Sequence, residues 1–260
     1  MAEDKELNET GESPVDLDGA RRTAAASMRD AASGFTYDGD RSSQGHQSGE
    51  PRTRGLVLGD DDPRDAALAE HVRGEERVWT GRIFSVDRLA VTLPDGRDAI
   101  RDVVRHPGAV GVVALTDDGK ICLVRQYRTA LARVTVEIPA GKLDPGEDPL
   151  DCAHRELAEE TGMRAERMAY LTTIASSDGF CDEVIHLYMA TGLTFAASSP
   201  DADEFINVDL VDLPELIDAV LDGRIEDAKT VVGALACDAV AHRLTPDQGM
   251  SADYDGREGE

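Results

Sequence analysis

Residues 148–162, "DPLDCAHRELAEETG", ask for a helix that carries three carboxylates on one side. Asp148 can cap it, Pro149 suits the first helical position, and Gly162 stands where a left-handed residue would stop it. Leu150, Ala153 and Leu157 recur at i, i+3 and i+7, an apolar stripe that needs a core to face. Glu156, Glu159 and Glu160 fall at i, i+3 and i+4, which puts their carboxylates about one turn apart on another face. Each such like-charge pair costs a helix roughly 0.2–0.5 kcal/mol. A solvated outer face is the ordinary explanation of an acidic run. A divalent cation among the three gives the spacing a purpose, because Mg²⁺ or Mn²⁺ takes carboxylate and water oxygens. The loop just before, "PAGKLDPGED", adds glycines at 141 and 146 that let the backbone turn its carbonyls toward the same cation.

Acidic residues outnumber basic ones by 52 to 27, for a net charge of −25. Such a chain has no general attraction to nucleic-acid phosphates or anionic lipid, so neither nucleic acid nor a membrane is an expected partner. An anionic substrate would need a metal ion or a local cluster of arginines. Cys122, Cys152, Cys181 and Cys237 form no C-x-x-C pair, which argues against a zinc site and a disulfide framework and fits a reducing cytoplasm. No apolar run approaches the roughly 18 residues of a membrane span, and the first residues lack the basic-then-apolar order of a signal peptide.

Residues 1–65 are rich in Gly, Ser and Asp, with Phe35 and Tyr37 the only aromatics. Such a segment cannot bury enough apolar surface to offset its conformational entropy, and disorder is the expectation. The last stretch, "TPDQGMSADYDGREGE", reads as a second polar tail. Between the tails come short β-type runs: "RVWTGRIFSV", "LAVTLPDG", "AIRDVVRH", "GAVGVVALTDDGK", "ICLVRQYR" and "VTVEIPAG". "LTDDGKICLVRQY" predicts a hairpin about Asp118-Gly119. After the acidic helix come strands "RMAYLTTIA", "VIHLYMATGL" and "FINVDLV", then helices "PELIDAVLDG" and "EDAKTVVGALACDAVAHR". Strands enclosing a helix, with helices at the end, predict an α+β or layered α/β/α domain.

Gly141, Glu147, Arg155, Glu156, Leu157, Glu159, Glu160, Gly162 and Met163 meet all nine positions of G-x5-E-x7-R-E-U-x-E-E-x-G-U, where U is a bulky aliphatic. At average residue usage a chance match in a chain of this length has odds on the order of 10⁻⁶, which displaces the solvated-face explanation. The chain resembles the Nudix family. The resemblance implies an α+β fold, a Nudix-type α/β/α sandwich with a mixed β-sheet and an N-terminal antiparallel β subdomain. The corresponding divisions are a tail over 1–65, the β subdomain over 66–107, the hydrolase domain over 108–243 and a polar tail over 244–260. It also implies Mg²⁺-dependent (or Mn²⁺-dependent) hydrolysis of a nucleoside diphosphate linked to another group, with no covalent nucleophile. Glu156 and Glu160 then resemble metal ligands, joined by the carbonyl of Ala140. Glu159 resembles a ligand or a water-positioning group, and Arg155 the residue that orients these carboxylates.

Similarity extends over "GRIF", "RDVVRHPGAV", "LVRQYR", "EIPAGKLDPGED", "DGFCDEVIHLYMA" and "DEFINVDLVDLPELIDAVLDGRIEDAKT", pointing to the ADP-ribose pyrophosphatase branch. By that resemblance the substrate-binding set is Arg101, Arg128, Phe84 and Gly141, with Arg128 near the phosphates and either Phe84 or Trp79 stacking on adenine. The competing reading of the two arginines is a surface salt bridge, and of the aromatics a core position. By the same resemblance an acidic loop supplies a further catalytic or metal-binding carboxylate from among Asp201, Asp203 and Glu204, with Asp203 or Glu204 preferred. One departure is "SSDGFCDE", where Asp178 replaces the proline usual in this branch; Asp before Gly turns as readily. The branch implies a cytoplasmic homodimer whose N-terminal strands cross to the partner. The expected reaction converts ADP-ribose to AMP and ribose 5-phosphate. The alternatives are hydrolysis of another nucleoside diphosphate sugar such as GDP-mannose, a non-catalytic nucleotide-sensing role, or a scaffold role for the acidic tail.

Overall fold

The computed structural model describes residues 64–197 and 205–244. The N-terminal tail up to residue 63, the loop at 198–204 and the C-terminal tail after residue 244 lie outside the described residues. The first three strands form an antiparallel sheet, β1 (His71–Thr80), β2 (Ser85–Thr92) and β3 (Asp98–Arg105), in that order. β2 alternates buried positions with partly buried or exposed ones, as a strand with one covered face must, whereas all ten residues of the edge strand β1 are exposed.

β4 (Ala109–Ala114) is apolar or glycine throughout and buried at all six positions, the pattern of a strand covered on both faces. β5 (Lys120–Arg128), β6 (Arg133–Glu137) and β7 (Ala140–Lys142) follow, then α1 (Pro149–Thr161), β8 (Met163–Ala175), β9 (Val184–Phe195), β10 (Ile206–Asp212), α2 (Leu213–Leu221) and α3 (Ala228–Leu244). A four-stranded mixed sheet runs in the order β7-β4-β9-β8, with β4 and β9 parallel and the other pairs antiparallel. A three-stranded antiparallel sheet runs β10-β5-β6. Val110, Val112 and Ala114 pack with Cys152, Ala153 and Leu157 of α1; Ala109 and Val113 pack with Ala234 and Cys237 of α3 and Leu216 of α2. The period-2 alternation of β4 therefore seats helices on opposite faces of one sheet, the α/β/α layering.

Four local expectations change. The hairpin about Asp118-Gly119 keeps its turn, with the Gly119 N–H donating to the Thr116 carbonyl at 3.0 Å, but the two strands separate after the single bridge Leu115–Ile121. β4 is committed to β7 and β9, so β5 pairs with β10 and β6 instead. "VTVEIPAG" is two strands, because Pro139 has no N–H to donate and the chain changes sheets there. β8 begins at Met163, earlier than "RMAYLTTIA", because the left-handed Gly162 at φ 71° turns the chain straight from helix into strand.

The fourth change is on α1. Leu150, expected on its buried stripe, is 39 % exposed, and the covered positions are Cys152, Ala153, Leu157, Glu160 and Thr161. Leu150 sits in the first turn, and the part of α1 seated on the sheet starts at Cys152. Leu157→Ala should therefore cost about 2–5 kcal/mol through the cavity it leaves, and Leu150→Ala no more than about 0.5 kcal/mol. Urea denaturation midpoints of the two variants check this, and equal losses would contradict the seating.

Candidate active site

α1 is held at both ends as its sequence requires. Asp148 accepts the Leu150 N–H at 2.8 Å, and the Gly162 N–H donates to the Ala158 carbonyl at 3.0 Å. Because the buried stripe includes Glu160, seating the helix carries that carboxylate inward to 5 % exposure, where it accepts the Ala140 N–H at 3.0 Å. Next along the chain, Gly141 leaves room for Glu156: a Cβ there would lie 1.9 Å from the Glu156 carboxyl carbon. The backbone of β7 and the carboxylates of α1 thus form one unit, and any larger residue at 141 would displace Glu156.

Arg155 joins the remaining carboxylates. Its Nε and Nη2 donate to the two oxygens of Glu147 at 2.8 and 2.7 Å, and its Nη1 donates to Glu156 at 2.7 Å and Glu159 at 3.0 Å. Nη2 also donates to the Lys142 carbonyl at 3.2 Å. One planar cation therefore links the loop to the helix. The Arg155 hydrogen bonds hold the Glu147 carboxyl down from 4.5 to about 2. Among the described residues, no three His, Cys, Asp or Glu side chains are gathered closely enough to hold a metal ion. The donor chemistry nevertheless suits Mg²⁺ or Mn²⁺, since Glu156 and Glu160 offer hard carboxylate oxygens beside a cradle that a side chain at 141 would fill.

Asp201, Asp203 and Glu204 are outside the described residues. Arg101 is 43 % exposed and pairs with Glu70 at 2.6 Å. Phe84 stacks on Trp79 at the β1–β2 turn, with ring centroids 5.0 Å apart, and both rings are partly open to solvent rather than in a core. Gly81 is what lets that turn form, because a Cβ there would sit 2.1 Å from the Trp79 ring. The Asp178 turn is closed by the Phe180 N–H on the Ser177 carbonyl at 3.1 Å, and the Val104 N–H reaches the Phe180 carbonyl at 2.8 Å to tie it to β3.

Arg128 donates through Nε and Nη2 to the two oxygens of Glu137 at 2.8 and 2.7 Å, and it lies within electrostatic reach of Glu160. Glu137, 3 % exposed, was missed in the sequence, as were Lys229, Asp227 and Thr230 around it. Their stretches "EIPAG" and "EDAKT" were visible, but nothing in linear spacing indicates that they meet. Burial pushes the Glu137 carboxyl up, and the hydrogen bonds and charges of Arg128 and Lys229 outweigh it, bringing it to about 2.

The NUDIX domain family matches residues 105–232. The chain is 46 % identical over 159 residues to the methanol dehydrogenase activator of Bacillus methanolicus, covering 60 % of this chain and 86 % of that protein. It is 41 % identical over 166 residues to the ADP-ribose pyrophosphatase of Bacillus subtilis strain 168, covering 63 % of this chain and 90 % of that one. A solved ADP compounds hydrolase shares the fold, with a TM-score of 0.61 at 20 % identity over 68 % of this chain and 97 % of that chain. Among the described residues, no helix is long and apolar enough to cross a membrane.

The depressed carboxylates set an acid limit. Glu137 and Glu147 stabilise the fold fully above their unfolded value of about 4.3, and this contribution is lost as pH falls toward about 2. Urea unfolding between pH 7 and 2.5 should show stability declining once pH drops below about 4.5, with a shallower decline in Arg155→Met; a profile identical in that variant would contradict the Arg155–Glu147 coupling.

Proposed function

Because the chain belongs to the Nudix hydrolase family, we propose that it hydrolyses the pyrophosphate of ADP-ribose to AMP and ribose 5-phosphate in a Mg²⁺-dependent reaction. The observation that carries this reading is the unit of Gly141, Arg155, Glu156 and Glu160, in which the helix carboxylates are folded onto the β7 backbone with no room for a side chain at 141. Water adds to one phosphorus of the diphosphate, and the bridging oxygen leaves with the other phosphoryl group. Glu156 and Glu160 are the residues that would hold the cation, with the Ala140 carbonyl beside them. When bound, Mg²⁺ or Mn²⁺ neutralises diphosphate charge and acidifies a water molecule.

The protein's own groups do the positioning. Arg155 holds the carboxylates of Glu147, Glu156 and Glu159 at 2.7–3.0 Å, so that no reorganisation is needed when substrate arrives. Glu159, the most open of the helix glutamates at 40 % exposure of its side chain, is available to orient the attacking water. Asp203 or Glu204 is the further catalytic or metal-binding carboxylate of this proposal. Arg128 receives a phosphate, and Phe84 or Trp79 the adenine. Glu159→Gln and Glu160→Gln should each lower kcat about 10²-fold or more, and EDTA should abolish turnover. Phosphate release coupled through alkaline phosphatase over ADP-ribose, GDP-mannose, NADH and diadenosine polyphosphates checks this. A higher rate on GDP-mannose would transfer the assignment to a GDP-sugar, and full activity in both variants would overturn the mechanism.

The division into an N-terminal subdomain over 66–107 and a hydrolase domain over 108–243 belongs to the same proposal, as does a homodimer. Support for the dimer comes from β1, an edge strand exposed along its whole length, with Val72, Val78, Trp79, Ile83 and Ile100 also exposed on its sheet or the adjoining turn. Such an edge with apolar neighbours is a site for pairing. A cytoplasmic location fits four free cysteines, three of them buried. Size-exclusion chromatography with light scattering should give twice the chain mass of 27.9 kDa, and a monomer would remove the dimer from the proposal.

A further inference from the structure

The cluster around Glu137 brings together two consecutive strands and a helix remote from them in the chain. Glu137 and Thr135 lie on one face of β6, Arg128 ends β5, and Lys229 belongs to the first turn of α3. Thr135 Oγ1 donates to Glu137 Oε1 at 2.5 Å, while Arg128 Nη2 and Lys229 Nζ both donate to Oε2. Lys229 also donates to Asp227 at 2.9 Å. Asp227 is itself fixed by the Thr230 N–H and hydroxyl at 3.0 and 2.5 Å, and the Ile138 N–H donates to that hydroxyl at 2.8 Å. Three residues beyond Glu137 is Ala140, whose N–H holds Glu160. The cluster and the carboxylate cradle are therefore built on the two ends of one short turn.

A carboxylate at 3 % exposure has to be paired, and one arginine would be enough. Lys229 shares Oε2 and is itself held by Asp227, so Glu137 is fixed from the protein side as well as by Arg128. The bidentate contact uses Nε and Nη2 of Arg128 and fixes the guanidinium plane, which leaves its Nη1 edge for a ligand. Arg128 is 42 % exposed, whereas Lys229 is 11 % exposed and faces its two carboxylates.

We propose that Glu137 and Lys229 are positioning residues that hold the Arg128 guanidinium in a fixed direction as the receptor for a phosphate of the bound nucleoside diphosphate. The inference rests on the reading of the site as one for a nucleoside diphosphate. Neither Glu137 nor Lys229 touches substrate; both act through Arg128.

The test is a double-mutant cycle on the full chain, with Lys229→Met, Glu137→Gln, Arg128→Ala and the two doubles containing Arg128→Ala. Two quantities are read: the Kd of ADP in EDTA by calorimetry, and kcat and KM for ADP-ribose with Mg²⁺. Lys229→Met and Glu137→Gln should each weaken ADP binding about tenfold, because the Arg128 contact loses its fixed direction, and should have no further effect once Arg128 is alanine. Lys229→Arg should restore binding. Equal losses with and without Arg128, unchanged ADP binding in both single variants, or a wild type that binds no ADP would overturn the proposal. If Glu137→Gln does not fold, the Lys229 cycle decides alone. A wild type that binds ADP and shows the cycle but leaves ADP-ribose intact would overturn the substrate reading while supporting this one.

Discussion

The guanidinium of Arg155 is what allows so many carboxylates to share one end of α1. Glu147, Glu156 and Glu159 are like charges on neighbouring positions, and without a cation among them they would repel and solvate separately. Arg155 meets all three with charge-assisted bonds of 2.7–3.0 Å while staying attached to the Lys142 carbonyl at 3.2 Å. The arrangement holds only because α1 is seated by Cys152, Ala153 and Leu157, and because Gly141 leaves the space that Glu156 occupies. Packing, backbone and charge are thus conditions of one another.

Positive charge is scarce in a chain of net −25, and the structure concentrates it. Arg155 stands at one end of the 137–142 segment, and Arg128 with Lys229 at the other. Each is held by buried or half-buried carboxylates that fix direction as well as charge. A third cluster joins the N-terminal sheet to the rest. Asp87, almost fully buried on β2, accepts from Arg77 and from Arg105, the latter at 3.0 Å, and Arg105 donates in turn to Asp182 at 3.2 Å. These arginines hold the Asp87 carboxyl well below its usual range. Asp182 also accepts the His106 N–H at 2.8 Å, so the loop carrying Asp178 is tied to β3 by side-chain and backbone bonds together.

Errors in the sequence reading have local causes. Asp118-Gly119 does make a turn, but a turn says nothing about which sheet each arm will join, and β4 is taken by β7 and β9. Leu150 fits the apolar period of α1, yet period alone does not say where the supporting sheet ends. Glu137 sits in a β-rich run where a lone acid reads as solvent-facing; its partners are 9 residues away at Arg128 and 92 away at Lys229.

What the sequence by itself determined is contained within a few turns of chain: the start and stop of α1, the spacing of Glu156, Glu159 and Glu160, the glycine at 141, and with them the family. Capping, helical period and glycine freedom act between residues close in the chain, so they can be read from a string. The tertiary structure decided that Glu160 is buried on the Ala140 amide, that Glu156 fills the space above Gly141, and that Arg128 answers to Glu137 and Lys229. Those outcomes depend on desolvation and on contacts between remote segments, and only the packed sheets and helices bring such groups within hydrogen-bonding distance.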